Sequence, residues 1–180
     1  DIQLFTMNLD GTEIQQVTNE VPVAGFRQDE VDFTWILSGQ RLYYPNFNKL
    51  YSIVSDGTGI DMLYELPEGT FITEIDANEA NNLVAIKTND ANGYNARISV
   101  INPNSGVEVA VVIEGVDGAL GGIDFSIDGT KVLYTRDVSG FENSEYRILD
   151  SRIFEYDIPT DTTKEINTDK ENGTNDLDVK

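Results

Sequence analysis

The sequence predicts an all-β fold, a segment of a β-propeller made of four-stranded antiparallel blades. A strand-like segment recurs along the chain at steps of 47, 47 and 55 residues, close to the spacing of propeller blades at about 45 residues. Each copy alternates apolar and polar residues, which is the period of a β-strand. Gly, Asn and Asp interrupt every window of about 12 residues, so no helical period is sustained.

The recurring segment is the third strand of each blade, strand C, and it begins at Ile2, Lys49, Ala96 and Ser151. A polar turn follows each copy, as in Asp10-Gly11-Thr12. Glycine adopts positive φ without a steric penalty and aspartate caps the turn, so each copy is expected to continue as a hairpin. The outer strands of these hairpins, strands D, are predicted at 14–18, 61–66, 107–114 and 163–168.

A second hairpin precedes each of the later copies and supplies strands A and B. It is clearest at 123–137, with counterparts that start at Val31 and Glu74. The predicted organisation is an outer half-blade at 1–19, blades at 31–66, 72–114 and 121–169, and the first strand of a further blade at 175–180. Such a chain is part of a ring of about six to eight blades. Because unpaired strand edges aggregate, we expect a longer natural protein or two chains that meet edge to edge.

The amino-acid composition of the chain disfavours several classes of function. Twelve basic against 32 acidic residues give a net charge of −20, which disfavours nucleic acids and anionic lipid surfaces. The chain has no His and no Cys, so triads with an imidazole base, thiol chemistry and the usual zinc sites cannot be built from it. No apolar run approaches the roughly 18 residues of a membrane span. We therefore predict no enzymatic activity for this segment and no membrane insertion.

The repeats carry a recognisable motif. It is clearest at 125–134, FSIDGTKVLY, and in Asn8-Leu9-Asp10-Gly11-Thr12 with the following 16–19, QVTN. This resembles the TolB-like propeller family, whose repeats are also described as WD40-like. In that family the inner hairpin commonly reads aromatic-Ser-Pro-Asp-Gly-Lys, and the outer one contains Asn-x-Asp-Gly-Ser. Ile127 stands where the family has proline, and the copy around 78–82 is the weakest.

The resemblance implies a six- or seven-bladed propeller that is periplasmic or secreted and that binds other proteins. Related propellers precede the catalytic domain of prolyl-oligopeptidase-like hydrolases. We therefore expect a non-enzymatic scaffold for a protein or peptide partner, and the alternative is a gating propeller of a larger hydrolase. Oligogalacturonate lyase propellers are a third possibility by fold, but that resemblance implies histidine metal ligands, which this chain lacks.

Acidic residues recur on the predicted innermost strands. When the repeats are aligned on Trp35, Ala77 and Phe125, acids fall three residues or one residue before the aligned position. Residues two apart on a strand share a face, so these carboxylates should point the same way and could line an acidic channel for a cation or a basic peptide. The alternative is that they bind nearby amides. The candidate channel residues are Asp32, Glu74, Asp76, Asp124 and Asp178.

No metal site or cofactor is expected, with one alternative. The segment 169–178 is rich in oxygen ligands around Gly173 and could take Ca²⁺, although it lacks the twelve-residue calcium-loop spacing. Paired carboxylates could in principle hydrolyse glycosides. With acids so abundant, such pairs are expected by chance, so we predict no catalytic residues.

Two long loops are predicted between strands B and C, at 89–95 and 137–150. Long loops on a rigid scaffold are a common place for binding residues. Aromatic residues and arginine are enriched where proteins meet proteins, which makes Tyr94, Phe141, Tyr146 and Arg147 the candidate binding residues. The remaining aromatics, among them Phe33, Tyr43, Tyr44 and Phe154, are expected to pack between blades.

Overall fold

The computed structural model describes residues 2–27, 31–116, 120–139 and 150–166. Its strands form one two-stranded sheet and three four-stranded sheets, all antiparallel and each in chain order. The half-blade holds β1 (Phe5–Thr6) and β2 (Gln15–Gln16). Blade 1 holds β3 (Thr34–Ile36), β4 (Arg41–Asn46), β5 (Lys49–Val54) and β6 (Asp61–Glu65). Blade 2 holds β7 (Thr70–Asn78), β8 (Leu83–Asp90), β9 (Ala96–Asn102) and β10 (Val107–Val116). Blade 3 holds β11 (Leu120–Phe125), β12 (Lys131–Asp137), β13 (Ser151–Asp157) and β14 (Thr162–Glu165).

This architecture confirms the prediction of a partial all-β propeller. Among the described residues the only helical element is a single 3₁₀ turn, Leu37–Gly39, between β3 and β4. No helix of the described ranges is long and apolar enough to cross a bilayer. The expected segments 167–169 and 175–180, and Asp178 with them, lie outside the described residues.

The cores lie between blades, because each sheet has apolar side chains on both faces. Tyr43 and Leu50 of blade 1 pack against blade 2, and the alternate residues Leu42 and Tyr44 pack against the half-blade. Blade 2 likewise sends Val84 and its alternates to blade 1 and Ala85 and its alternates to blade 3. The innermost strand of blade 2, β7, lies against both β3 and β11. Each described joint between neighbouring blades therefore buries apolar side chains of both.

The Asp-Gly-Thr turns fold alike. In the turns at Asp10, Asp56 and Asp128, one carboxylate oxygen accepts bonds from the backbone N–H and the hydroxyl of the threonine two residues later, at 2.6 to 3.0 Å. The intervening glycines have φ between +66° and +85°. Gly129 also lies against blade 2, because a Cβ there would meet the side-chain amides of Asn78 and Asn81, which would have to move. One motif therefore serves both as a turn and as a contact between blades.

Candidate functional site

The acids of the innermost strands bind the backbone of the next blade. Asp32 of blade 1 accepts the N–H of Ile75 in β7 at 2.9 Å. Asp76 of blade 2 accepts the N–H of Phe125 in β11 at 2.8 Å, and Glu74 accepts that of Ile123 at 3.0 Å. The position of Asp32 and Glu74 is used at both joints, and the position of Asp76 only between blades 2 and 3. Together these carboxylates form a ladder that joins each of these blades to the next.

Glu74 has a second partner within its own blade. Its other carboxylate oxygen binds the ammonium group of Lys87 on β8, and that ammonium also donates to the Gly121 carbonyl of blade 3 at 2.8 Å. Both side chains are more than three quarters buried. The pair therefore links the two blades through a carboxylate that accepts an N–H and an ammonium that donates to a carbonyl.

Asp76 lies beside Asp124, the equivalent residue of the next blade. Burial is the main cause that raises the pKa of Asp76 from 3.8 to about 6, opposed by the Phe125 N–H and reinforced by a hydrogen bond with the Asp124 carboxyl. A neighbouring carboxyl group makes ionisation of Asp76 less favourable. Within the described ranges no three acidic side chains converge as a metal site. The role that the structure shows for Asp32, Glu74 and Asp76 is the contact with backbone amides; a channel lining remains a prediction.

The loop face, where strands B and C connect, carries three phenylalanines in contact. The rings of Phe26 and Phe71 are 5.5 Å apart between centroids, and those of Phe47 and Phe71 are 6.1 Å apart. The guanidinium of Arg27 lies 5.4 Å from the centre of the Phe26 ring, a distance that permits a cation–π interaction. We call Phe26, Arg27, Phe47 and Phe71 the aromatic cluster.

Phe47 has an unusual backbone. It is the first residue of the two-residue turn between β4 and β5, with φ at +54°, and its side chain is 48% exposed. Turns of this kind favour glycine or asparagine, since a bulky side chain at positive φ costs about 1–2 kcal/mol. Its N–H donates to the Ala24 carbonyl at 2.7 Å, and its own carbonyl accepts from Ile72 at 2.8 Å. Strained backbone positions of this kind cluster at functional sites.

The first long loop lies beside this cluster. Asp90 holds the loop by accepting the N–H groups of Asn92 and Tyr94 at 2.8 and 2.9 Å, and these bonds lower the pKa of its carboxyl. Gly93 lies 4.0 Å from the Phe26 ring when its missing Cβ is placed. Tyr94, a half-buried predicted binding residue, therefore lies in a loop next to Phe26 of the aromatic cluster.

The second long loop is anchored at its two ends. Asp137 accepts the N–H of Ser139 at 3.1 Å and that of Asp150 at 2.8 Å. Phe141, Tyr146 and Arg147, the other predicted binding residues, lie outside the described residues.

Sequence reasoning missed the aromatic cluster, because its members come from three separate segments. The available signal was Phe47, a large aromatic placed in a turn that the hairpin pattern predicts. The expectation for the other aromatics holds for Tyr43 and Tyr44, which are buried, and for Phe154, which stacks on Tyr134 at 5.5 Å. It is wrong for Phe33, which directly precedes β3 and is 45% exposed.

Comparison with known proteins shows the fold. No family model and no curated protein sequence matches this chain. Among solved structures, the WD40 domain of Neurospora crassa Pan2 matches 91% of the chain with a TM-score of 0.61 and 12% identity, and 45% of that structure is covered. An oligogalacturonate lyase in complex with manganese matches 90% with a TM-score of 0.57 and 12% identity, covering 41% of that structure. The tricorn protease matches 92% with a TM-score of 0.55 and 13% identity, covering 17%. The chain thus spans less than half the length of these structures, and the likeness establishes a β-propeller-like fold.

Proposed function

We propose that the chain is a non-catalytic binding scaffold that presents its loop face to a protein or peptide partner. The observation that carries the proposal is Phe47, a half-exposed ring held at positive φ in a turn that favours glycine. Selection for fold stability alone favours glycine or asparagine there. A ring kept in place against that preference is available for contact with another molecule.

The surroundings of Phe47 suit protein recognition. Aromatic residues and arginine dominate the residues that contribute most to binding energy between proteins, and both are present in the aromatic cluster. The ladder between blades holds the supporting strands in place, so little conformational entropy is lost when a partner binds. The acidic chain, with a net charge of −20, favours a partner with a basic rim around an apolar centre.

Photo-crosslinking tests this proposal. A benzophenone amino acid is placed at Phe47, and in a control variant at Met62, which is 51% exposed on the outermost strand of blade 1. We expect a discrete adduct with a protein of the source organism from position 47 only, and mass spectrometry identifies that protein. Equal labelling from both positions, or none from position 47, would contradict the proposal.

The partner so identified then allows a quantitative test. Phe47→Gly removes the ring and relieves the strain, so the variant should be at least as stable as the wild type in urea denaturation. Its affinity should nevertheless fall about tenfold or more, the loss expected for a residue of this kind. A Met62→Gly control should keep the wild-type affinity.

Membership of the TolB-like family and export are further parts of the proposal. They are supported by the Asp-Gly-Thr motif and by the common geometry of its three turns. Export is tested by fractionating cells of the source organism, where the protein should appear in the periplasm or the medium. Recovery in the cytosol would oppose it.

A second candidate function is a propeller that controls access to a hydrolase domain elsewhere in the natural protein. It is favoured by the kinds of protein that share this fold, which include the tricorn protease and a puromycin hydrolase. This candidate predicts peptidase activity in the full-length natural protein and none in the 180-residue chain. A natural mature protein with a mass near 20.0 kDa would exclude it.

A further inference from the structure

A groove opens between blades 1 and 2 at the end of the blades opposite the loop face, where strand A turns into strand B. We call it the turn groove. The residues that line it include Leu37, Tyr43, Asn78, Glu79, Leu83 and Pro103. Its empty volume is about 280 Å³, below the roughly 300–1,000 Å³ of small-molecule sites. The turn groove therefore suits a single side chain better than a whole cofactor.

The equivalent space between blades 2 and 3 is closed by polar contacts. The Asn81 side chain of blade 2 donates to the Asp128 carbonyl of blade 3 at 2.6 Å. Gly129 lies so close to the same turn of blade 2 that a Cβ there would meet two side-chain amides. In blade 1, Gly39 stands in the register position of Asn81, and a Cβ on Gly39 would meet no described atom within 4 Å. Blade 1 therefore lacks the amide that closes the later joint, and the turn groove stays open.

The two walls of the turn groove are apolar and held in place. On one wall Leu37 is 50% exposed with φ at +51°, a backbone conformation that is unfavourable for leucine. On the other wall, the side chain of Asn82 donates to that of Asn102 at 3.2 Å, and Asn102 directly precedes Pro103. Because this wall is tied to its neighbouring turn, little conformational freedom is lost when a ligand enters.

The polar edge of the turn groove is anionic. Glu79 lines the groove and is exposed to solvent. Tyr43 lies within reach of its charge. Burial is the main cause that raises the pKa of the Tyr43 hydroxyl, and the Glu79 carboxylate adds to this effect against the opposing charge of Arg41. The hydroxyl therefore stays neutral at physiological pH, and Glu79 gives the groove its negative charge.

We propose that the turn groove holds a basic side chain, lysine or arginine, of a partner protein. Such a side chain lays an aliphatic stem along apolar surface and carries a cation at its end. Leu37 and Pro103 flank the stem, and Glu79 binds the cation. The net charge of −20 favours the approach of a basic partner. The proposal goes beyond the loop face, because the groove and Phe47 lie at opposite ends of the blades.

A titration followed by NMR tests this proposal with two peptides. One is acetyl-Ala-Lys-Ala-amide, and the other has norleucine in place of lysine and so keeps a four-carbon stem without the charge. The signals are the backbone amides of Leu37 and Glu79 and the side-chain amides of Asn78 and Asn82 in the labelled 180-residue chain. We expect these signals to shift and saturate with the lysine peptide. The norleucine peptide should bind about threefold more weakly, the difference expected for an exposed ion pair.

Two variants with the same change in charge separate the groove from the overall charge. Glu79→Gln neutralises the carboxylate of the groove and should weaken the lysine peptide about threefold. Glu68→Gln removes one charge from an exposed position between β6 and β7, at the loop-face end of the blades. It should leave the affinity unchanged. Neither variant should alter binding of the norleucine peptide.

The substitution Leu37→Gly tests the apolar wall. Glycine adopts positive φ without a steric penalty, so the variant should be at least as stable as the wild type in urea denaturation. Because the stem loses one of the two surfaces that flank it, both peptides should bind about threefold more weakly or worse.

The proposal fails if the lysine peptide gives no saturable shifts at the turn groove, or if the norleucine peptide binds as tightly. Equal losses for Glu79→Gln and Glu68→Gln would mean that only the net charge attracts the peptide, and would also overturn the proposal. Phe47 and the aromatic cluster take no part in these measurements, so the proposed function is tested separately.

Discussion

Two aspartates show how local surroundings decide the sign of a pKa shift. Asp76 is largely buried beside another carboxyl, and burial raises its pKa to about 6. Asp10 is exposed in an Asp-Gly-Thr turn, where the hydroxyl and then the backbone N–H of Thr12 lower its pKa. A raised pKa means that the native state binds more protons than the unfolded chain, so stability falls as the pH rises from about 4 to about 6. For Asp10 the sign is reversed, and its contribution is lost as the pH falls below about 4.

The substitution Asp76→Asn tests the first of these shifts. Asparagine keeps the oxygen that accepts the Phe125 N–H but cannot ionise, so the variant should gain stability relative to the wild type as the pH is raised from 4 to 7. We expect a change of about 1 kcal/mol in the difference between their unfolding free energies, because partial solvent exposure reduces the effect of the full shift. Urea denaturation at each pH gives the measurement. Asp10→Asn is the control with the opposite slope, and a pH-independent difference for Asp76→Asn would contradict the assigned cause.

The recurrence of acids at positions Asp32, Glu74 and Asp76 could be predicted from the sequence, because aligning the repeats places them on one face of the inner strands. Their partners could not be predicted. A backbone N–H has no sequence signature, and which amides are near depends on the packing of adjacent blades. The pKa of Asp76 could not be predicted for the same reason, since it depends on burial between two sheets.

The unpaired edges of the innermost strands explain why the contacts between blades are polar near the centre of the propeller. The innermost strands β3, β7 and β11 have one edge without a partner in their own sheets, and edge N–H groups need acceptors when buried. Glu74 meets that need and is itself neutralised by Lys87. An ion pair in this position matters more than one on the rim of a blade.

The substitution Lys87→Met tests whether an ion pair near the centre contributes more to stability than one on the rim of a blade. The variant leaves the Glu74 carboxylate largely buried without its cation, and we expect a loss of about 2–3 kcal/mol in unfolding free energy, somewhat below the loss for a fully buried pair. Lys49→Met is the matched control, since Lys49 pairs with Glu65 on the outer strands at 3.4 Å with both side chains at least a third exposed. That change should cost less than about 1 kcal/mol. Equal losses in urea denaturation would show that the position of the pair does not matter.

Strand positions were predictable to within a few residues, because alternation and Asp-Gly turns both mark them. The start of strand C was placed at Lys49, Ala96 and Ser151, where β5, β9 and β13 begin. β10 was less predictable. It runs to Val116, and its pairing with β9 has three register shifts, which depend on how the outer strand twists around its neighbour.

At the scale of the whole molecule, the described sheets follow one another in sequence order, and each packs against the sheet next to it. Each described core lies between two adjacent sheets, so stability is the sum of blade and joint contributions, as in other repeat proteins. A net charge of −20 opposes this packing through long-range repulsion. This repulsion acts on every joint between blades at once. It therefore arises from the net charge of the chain and not from any single pair of residues.

Salt should consequently stabilise the fold. Between 10 and 150 mM NaCl the screening length falls from about 30 to about 8 Å, and we expect a gain of about 1 kcal/mol in unfolding free energy. The measurement is urea unfolding of the wild-type chain at the two salt concentrations. A loss of stability over this range would mean that surface ion pairs outweigh the net repulsion.

The carboxylate ladder has a direction, from each blade to the one after it, and this direction has a consequence for how such chains can lengthen. At the two described joints between complete blades, the earlier blade supplies carboxylate acceptors and the later blade supplies backbone donors. If the segment that encodes blade 2 were duplicated, Glu74 and Asp76 of the first copy would meet the N–H groups of Ile75 and Ala77 in the second. Because these donors belong to the backbone, the hydrogen bonds do not depend on the side chain at these positions, and only proline would remove them. Blades could then be added by duplication and diverge in sequence without loss of the connection between them.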